Sequence, residues 1–354
     1  MSRFWSDKTR DLAPYTPGEQ PRVDGLIKLN TNEHPLAPSQ LAIAAISAAI
    51  SARLRHYPDP DSVQLRLAIA EREGLALEQV FVGNGSDEVL AHIFAALLSG
   101  SEAINVPDIT YSFYPVWAKL TGIDCCSRPL ADDFSIDVDT LRHIQGPILL
   151  ANPNAPTGIA LDLETIEDLV LTNTERLVVI DEAYYGFGGA TAAPLLERAD
   201  NLLITRSFSK SHALAGLRVG YALGSAELIE GLVRVKNSFN SYPLDALAQA
   251  GAEAAIRDGE WLLEASHVVS QNREWLRAEL QQRDFFVCPS AANFLFVRHA
   301  SIAGQALFDG LRAGNILVRR WDKPRIDNYL RISIGTREEC LALVMALDGL
   351  LASA

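Results

Sequence analysis

The sequence predicts an α/β fold: a mostly parallel (mixed) sheet with helices on both faces, a three-layer αβα large domain, followed by a smaller α+β domain. Two observations carry this. From residue 80 onward, short apolar runs recur: VFVG at 80–83, AINV at 103–106, PILLA at 147–151, LVVID at 177–181, LLITRS at 202–207 and RVGYAL at 218–223. Helix-length windows separate them, and strands that are apolar throughout are strands buried on both faces. Beyond Asp245 the pattern changes. A helical stretch to about Gln282 leads into FFVCPS, NFLFVRH, ILVRRW and YLRISIG, then a final helix.

The first forty residues carry Pro14, Pro17, Pro21, Pro35 and Pro38 without periodicity, so residues 1–40 read as an extended arm. Leu41 to Arg53 and Ser62 to Glu73 have amphipathic helical spacing. With these, the large domain is expected over 41–244 and the small one over 245–354.

Composition narrows the function. The 354 residues hold 31 basic and 44 acidic side chains, a net charge of −13, which argues against a nucleic-acid partner. No stretch approaches the ~20 apolar residues of a membrane span. Cys125, Cys126, Cys288 and Cys340 form no CxxC or metal spacing, and the start, Met1 to Arg10, lacks the apolar core of a signal peptide. A cytoplasmic protein with free thiols and no metal is expected. Of the 31 basic residues only six are Lys; Arg favours planar binding of carboxylate and phosphate.

In an α/β sheet, ligands sit beyond the carboxyl ends of the strands. LVVID closes on Asp181, with Glu182 and Tyr184 behind it. The segment SFSKSHALAGLRVGY, 207–221, brings Ser207, Ser209, Lys210 and Arg218 together after a strand. A lone Lys there reads as a surface side chain; beside hydroxyls and a guanidinium, which clamp phosphate, it can bond a carbonyl cofactor. GNGSDE, 83–88, opens a helix after a strand, and its backbone amides make an anion site. Read alone, it is an ordinary N-terminus capped by Ser86 or Asp87.

Together, NPNAPTG at 152–158, VVIDEAYYGF, SFSKSHALAGLRVGY and YLRISIGT resemble the fold-type I aminotransferases that use pyridoxal phosphate, and more narrowly the histidinol-phosphate aminotransferases. The resemblance runs from about Leu29 to the C-terminal helix. It implies that Lys210 matches the Schiff-base lysine and proton shuttle, Asp181 the carboxylate that keeps the pyridine nitrogen protonated, and Tyr184 the phenol that bonds the ring hydroxyl. Ser207, Ser209 and Arg218, with the amides of Ser86 and Asp87, match the phosphate clamp, and Tyr111 matches the aromatic stacked on the ring. One position departs. The family loop usually reads Asn-Pro-Asn-Asn-Pro-Thr-Gly, and the Asn missing here, where Ala155 stands, bonds the ring hydroxyl; either Asn154 one place earlier or a water substitutes, or Tyr184 carries the ring hydroxyl alone.

For substrate, Arg331 matches a carboxylate-binding arginine and Arg319 a second one near a substrate phosphate, with adjacent Arg320 facing away. Tyr15, Asn32 and Tyr242 resemble substrate-pocket positions. Tyr57 resembles the tyrosine that reaches a neighbouring subunit's cofactor phosphate, implying a homodimer with shared active sites. The implied reaction passes the amino group of histidinol phosphate to 2-oxoglutarate in histidine biosynthesis. An aromatic amino acid aminotransferase and a threonine-phosphate decarboxylase of corrinoid synthesis are the alternatives, and a non-enzymatic regulator on the same scaffold is a third.

Overall fold

The computed structural model describes residues 2–21 and 23–352. Strands are numbered along the chain: β1 (Ile27–Lys28), β2 (Val80–Gly83), β3 (Ala103–Pro107), β4 (Asp124–Arg128), β5 (Ile148–Ala151), β6 (Val178–Asp181), β7 (Leu202–Ser207) and β8 (Gly220–Gly224). The last seven form one sheet in the order β2-β8-β7-β6-β5-β3-β4. Only β8 runs against its neighbours; the other pairings are parallel. The mostly parallel, mixed sheet expected from the apolar runs is therefore present.

Each central strand feeds two cores because successive side chains point to opposite faces. Val178 and Ile180 pack on one side with Leu65, Ile69 and Ile166. Val179 packs on the other with Leu90, Phe94 and Trp117. One strand was not foreseen. β4, DCCSR, sits at the sheet edge with no fully buried residue, so it carries no apolar run to detect.

The helical stretch after Asp245 is two helices, Ala246–Arg257 and Gly259–Gln281, with Asp258 between them accepting from the Trp261 amide as a cap. Ala248, Ala252 and Ala255 of the first join the core that holds Leu65, whereas Val269, Leu276 and Leu280 of the second join the smaller core. Packing thus changes partner at Asp258, and the helix just past the expected 244/245 junction lies on the larger body.

The smaller unit is an antiparallel sheet in the order β12 (Arg319–Arg320), β13 (Leu330–Ser333), β10 (Phe294–His299) and β9 (Phe285–Val287). The run ILVRRW is split: β11 (Ile316–Leu317) leaves that sheet to pair in parallel with β1. The arm is therefore not wholly free-running. It also holds a short helix, Asp7–Asp11, capped by Ser6.

A buried ion cluster ties the large sheet together. Arg206 on β7, 1% exposed, contacts Glu182 at 2.8 Å and Glu73 of the helix Val63–Glu73 at 2.7 Å, and its guanidinium lies 3.7 Å from the Tyr185 ring centre. Replacing one member of such a cluster strands the others in low dielectric. Arg206→Met is expected to cost about 3–5 kcal/mol of unfolding free energy, measured by urea denaturation.

Candidate active site

The carboxyl ends of β2, β5, β6 and β7 converge on a cavity of about 470 Å³, closed from the other side by the arm and the smaller unit. Its lining takes Ser86 and Asp87 from the β2 end, Ala155 from the β5 loop, Asp181 and Tyr184 from β6, and Ser207, Ser209 and Lys210 from β7. Arg218, Tyr111, Tyr15, Asn32, Arg319 and Arg331, all expected from sequence, line it as well.

Asp181 ends β6 wholly buried. It accepts hydrogen bonds from Tyr114 Oη at 2.7 Å, Thr205 Oγ1 at 3.1 Å and the Ala183 amide at 3.1 Å. Burial pushes its pKa up to about 6, against the three donors that pull it down. Tyr114 was missed from sequence. It lies on the helix Tyr114–Thr121, among the aromatics Tyr111, Phe113 and Trp117, and reads there as core.

Lys210 follows β7 in a loop whose Ser209 amide is held by Ser207 Oγ at 3.1 Å. Its Nζ donates to the Thr31 carbonyl at 2.8 Å. Burial brings its pKa down to about 8, helped by the charge of Arg331 and opposed by Glu33 and Asp87. A lysine in this range holds a useful fraction of nucleophilic free amine near neutral pH.

At the β2 end, the helix Gly85–Ile93 starts after Asn84, whose side chain makes no capping bond. The expected cap by Ser86 or Asp87 does not form because both lie inside the first turn, which leaves that turn's amides without a side-chain cap. Two glycines permit the close packing. A Cβ on Gly85, at φ +79°, would run into the Arg218 guanidinium, and one on Gly220 would run into the Gly85 carbonyl carbon and the Ser86 nitrogen. Arg218 reaches Ser209 Oγ at 3.3 Å and Asp87 at 3.1 Å, and Asp87 accepts from Tyr111 Oη at 3.0 Å. Hydroxyls, a guanidinium and helix-end amides thus meet in one corner.

Arg319 and Arg331 are paired across β12 and β13 and share a face. Arg331 Nη2 donates to the Asn30 carbonyl at 3.0 Å while its buried Nε has no partner, and the Phe294 and Trp321 rings flank it. Arg319 donates to the arm carbonyls of Pro17 and Thr16 at 3.4 and 3.3 Å. Arg320 turns away, as expected, to the Asp327 carbonyl. Lys323 and Arg325 also reach the cavity, without a motif to announce them.

Three expected residues lie elsewhere. Asn154 is turned into its own loop: Nδ2 donates to the Ile109 carbonyl at 3.0 Å and Thr157 Oγ1 at 3.1 Å, and Oδ1 accepts from Thr110 at 2.8 Å. With its amide fully used, it does not replace the missing Asn; Ala155 faces the cavity instead. Tyr57 and Tyr242 stack on each other at 4.7 Å away from this chain's cavity, and Tyr57 is 82% exposed. His92 is a buried imidazole whose pKa is lowered by burial. Among the described residues no His, Cys, Asp and Glu group suits a metal.

Sequence and fold comparisons define the class. Residues 24–347 match the family model for aminotransferase class I and II. A histidinol-phosphate aminotransferase 2 of Dechloromonas aromatica is 54% identical over 351 residues, covering 98% of this chain and 99% of that protein. A histidinol-phosphate aminotransferase 1 of Bradyrhizobium diazoefficiens is 52% identical, with 99% and 100% covered. The crystal structure of histidinol-phosphate aminotransferase from Sinorhizobium meliloti with pyridoxal-5'-phosphate superposes with a TM-score of 0.88 at 24% identity, over 100% of this chain and 99% of that one. The chain belongs to the class I and II aminotransferase family, with the fold-type I architecture.

Two titrations test the electrostatics. In cofactor-free protein, reductively ¹³C-methylated Lys210 should titrate near pH 8, and Arg331→Met, by removing a positive charge, should raise that midpoint; NMR reads both. Tyr114→Phe removes a donor that lowers the Asp181 pKa, so in the same cofactor-free protein the ¹³C-labelled Asp181 carboxyl should titrate higher by about half to one pH unit, again read by NMR.

Proposed function

We propose that the protein is a histidinol-phosphate aminotransferase that uses pyridoxal phosphate, transferring the amino group of L-histidinol phosphate to 2-oxoglutarate to give imidazole-acetol phosphate and L-glutamate. The observation that carries it is the convergence of a buried lysine, a buried strand-end carboxylate and an Arg-hydroxyl-amide corner in one cavity. Support for the substrate comes from the two full-length relatives of that name above 50% identity.

The residues fit the cofactor. The corner formed by Ser86, Ser207, Ser209 and Arg218 would hold its phosphate, in a cradle that a Cβ at Gly85 or Gly220 would obstruct. Asp181, buried and carrying three donors, would hold a proton on the ring nitrogen. Tyr184 would bond the ring hydroxyl, and Tyr111 would lie against the ring face. When bound, the cofactor supplies a carbonyl carbon for the amine and a ring that withdraws electrons from the substrate α-carbon.

Lys210 Nζ does the proton work. With its pKa near 8 it can take a proton as the free amine and return it as the ammonium, and the Thr31 carbonyl holds it in place between the two. Arg331, with an unpartnered buried Nε, would grip an anionic group of either substrate, and Arg319 would add a second anchor. Tyr15, its ring tilted against Phe113 with centroids 4.8 Å apart, brings the arm over the cavity and excludes water.

The functional unit is read as a homodimer. Tyr57, stacked on Tyr242, would reach the neighbouring subunit's cofactor phosphate, and Leu41, Ile50, Leu54, Tyr57 and Phe239 each expose half or more of their surface. The setting is read as cytoplasmic, in keeping with four free cysteines; no helix among the described residues is long and apolar enough to cross a membrane.

The test is a donor screen. Glutamate should form from 2-oxoglutarate with histidinol phosphate as the best donor, and Lys210→Ala should lose the visible absorbance of the bound cofactor and at least about 10³-fold in rate. A preference for an aromatic amino acid, or release of carbon dioxide from threonine phosphate without a keto acid, would overturn the substrate reading.

A further inference from the structure

Three consecutive arm residues each hold one group of the site. The Asn30 carbonyl accepts from Arg331, the Thr31 carbonyl accepts from Lys210, and Asn32 Nδ2 donates to Tyr184 Oη at 2.9 Å. Asn32 is 1% exposed and sits at φ +55°, a left-handed conformation that Asn tolerates better than most residues. The smaller sheet pins it there. Its amide donates to Ser333 Oγ at 2.8 Å, the Ser333 hydroxyl donates to its Oδ1 at 2.9 Å, and its carbonyl accepts from Asn293 Nδ2 at 3.0 Å.

These bonds fix the direction of the side-chain amide. With Oδ1 occupied by the Ser333 hydroxyl, the NH₂ group faces Tyr184, so the phenol oxygen accepts and its one hydrogen stays free to be donated elsewhere. Tyr184 lines the cavity beside Ala155, where no side-chain amide is available, and Asn154 is spent in its own loop. Tyr184 is thus the one donor of the predicted pair still in place.

We propose that Asn32 is a positioning residue for Tyr184: by donating to the phenol oxygen it reserves the phenol hydrogen for the ring hydroxyl of the cofactor, and so compensates for Ala155. This rests on the pyridoxal-phosphate reading above. An oxygen that accepts one hydrogen bond becomes a stronger donor of its own. Donation to the ring oxygen favours its anionic form, so losing Asn32 should make the bound cofactor harder to deprotonate.

The experiment titrates the visible absorbance of the bound cofactor, without substrate, in the wild type, Asn32→Gly, Asn32→Asp, Tyr184→Phe and Tyr184→Phe/Asn32→Gly. Gly keeps the backbone conformation without strain, and Asp keeps the size but accepts where Asn donates. Both single Asn32 variants should raise the pH midpoint by about half a unit or more, Asp the further. In the Tyr184→Phe background Asn32→Gly should add nothing. A midpoint unmoved in both Asn32 variants overturns the inference, as does a Gly shift that persists without the phenol. If Gly does not fold, the Asp variant decides alone. A wild type that binds no pyridoxal phosphate instead sinks the cofactor reading.

Discussion

The parallel register between β6 and β7 is the constraint on which the rest of the site depends. It sets Asp181 level with Thr205, so that one side chain bonds the other on the site face. One residue further along the chain in each case the side chains emerge on the opposite face, and there Glu182, just past β6, and Arg206 form the buried ion pair that locks this alignment. A slip of one residue would turn Asp181 into the core and strand both charges. Because Lys210 follows β7 by three residues, its distance from Asp181 is inherited from the same register. The helix Val63–Glu73 is drawn into the lock through Glu73.

Electrostatics within the cavity run opposite to those of the whole chain. The protein carries −13, yet Lys210, Arg218, Arg319, Lys323, Arg325 and Arg331 face the cavity against Asp87, Asp108 and Asp181. Arg218 is paired with Asp87 and Arg325 with Asp108, whereas among the described residues Arg319 and Arg331 are met by backbone carbonyls and aromatic rings rather than by a carboxylate. Screening over about 8 Å at physiological salt lets this local field prevail over the distant surface charge. The same crowding of cations, added to burial, is what holds Lys210 below the ordinary lysine range.

The arm joins the two bodies chemically as well as spatially. β1 pairs with β11 of the smaller unit, and the three residues that follow Leu29 reach Arg331, Lys210 and Tyr184. Groups supplied by three separate stretches of chain are thereby referred to a single short segment. A shift of the smaller sheet would be felt through Ser333 and Asn293 at Asn32.

The layered fold and most of the cavity are legible in the order of residues alone. Apolar runs buried on both faces are a local signal, and a chemically loaded residue at the end of such a run is carried to the strand's carboxyl end wherever the strand goes; Asp181, Ser207 and Lys210 were legible for that reason, whereas Arg218 stands before β8, whose antiparallel direction brings its amino end to the same edge. The remaining features depend on packing between distant segments. β4 escaped notice because an edge strand needs no apolar face, and the helix Ala246–Arg257 joined the larger core because Ala-rich periodicity does not name its partner. Asn154 turned inward because three local partners satisfy its amide. The bonds of Tyr114 to Asp181 and of Asn32 to Tyr184 span 67 and 152 residues of chain, and a hydrogen bond between distant segments is set by where packing brings them, which no local pattern encodes.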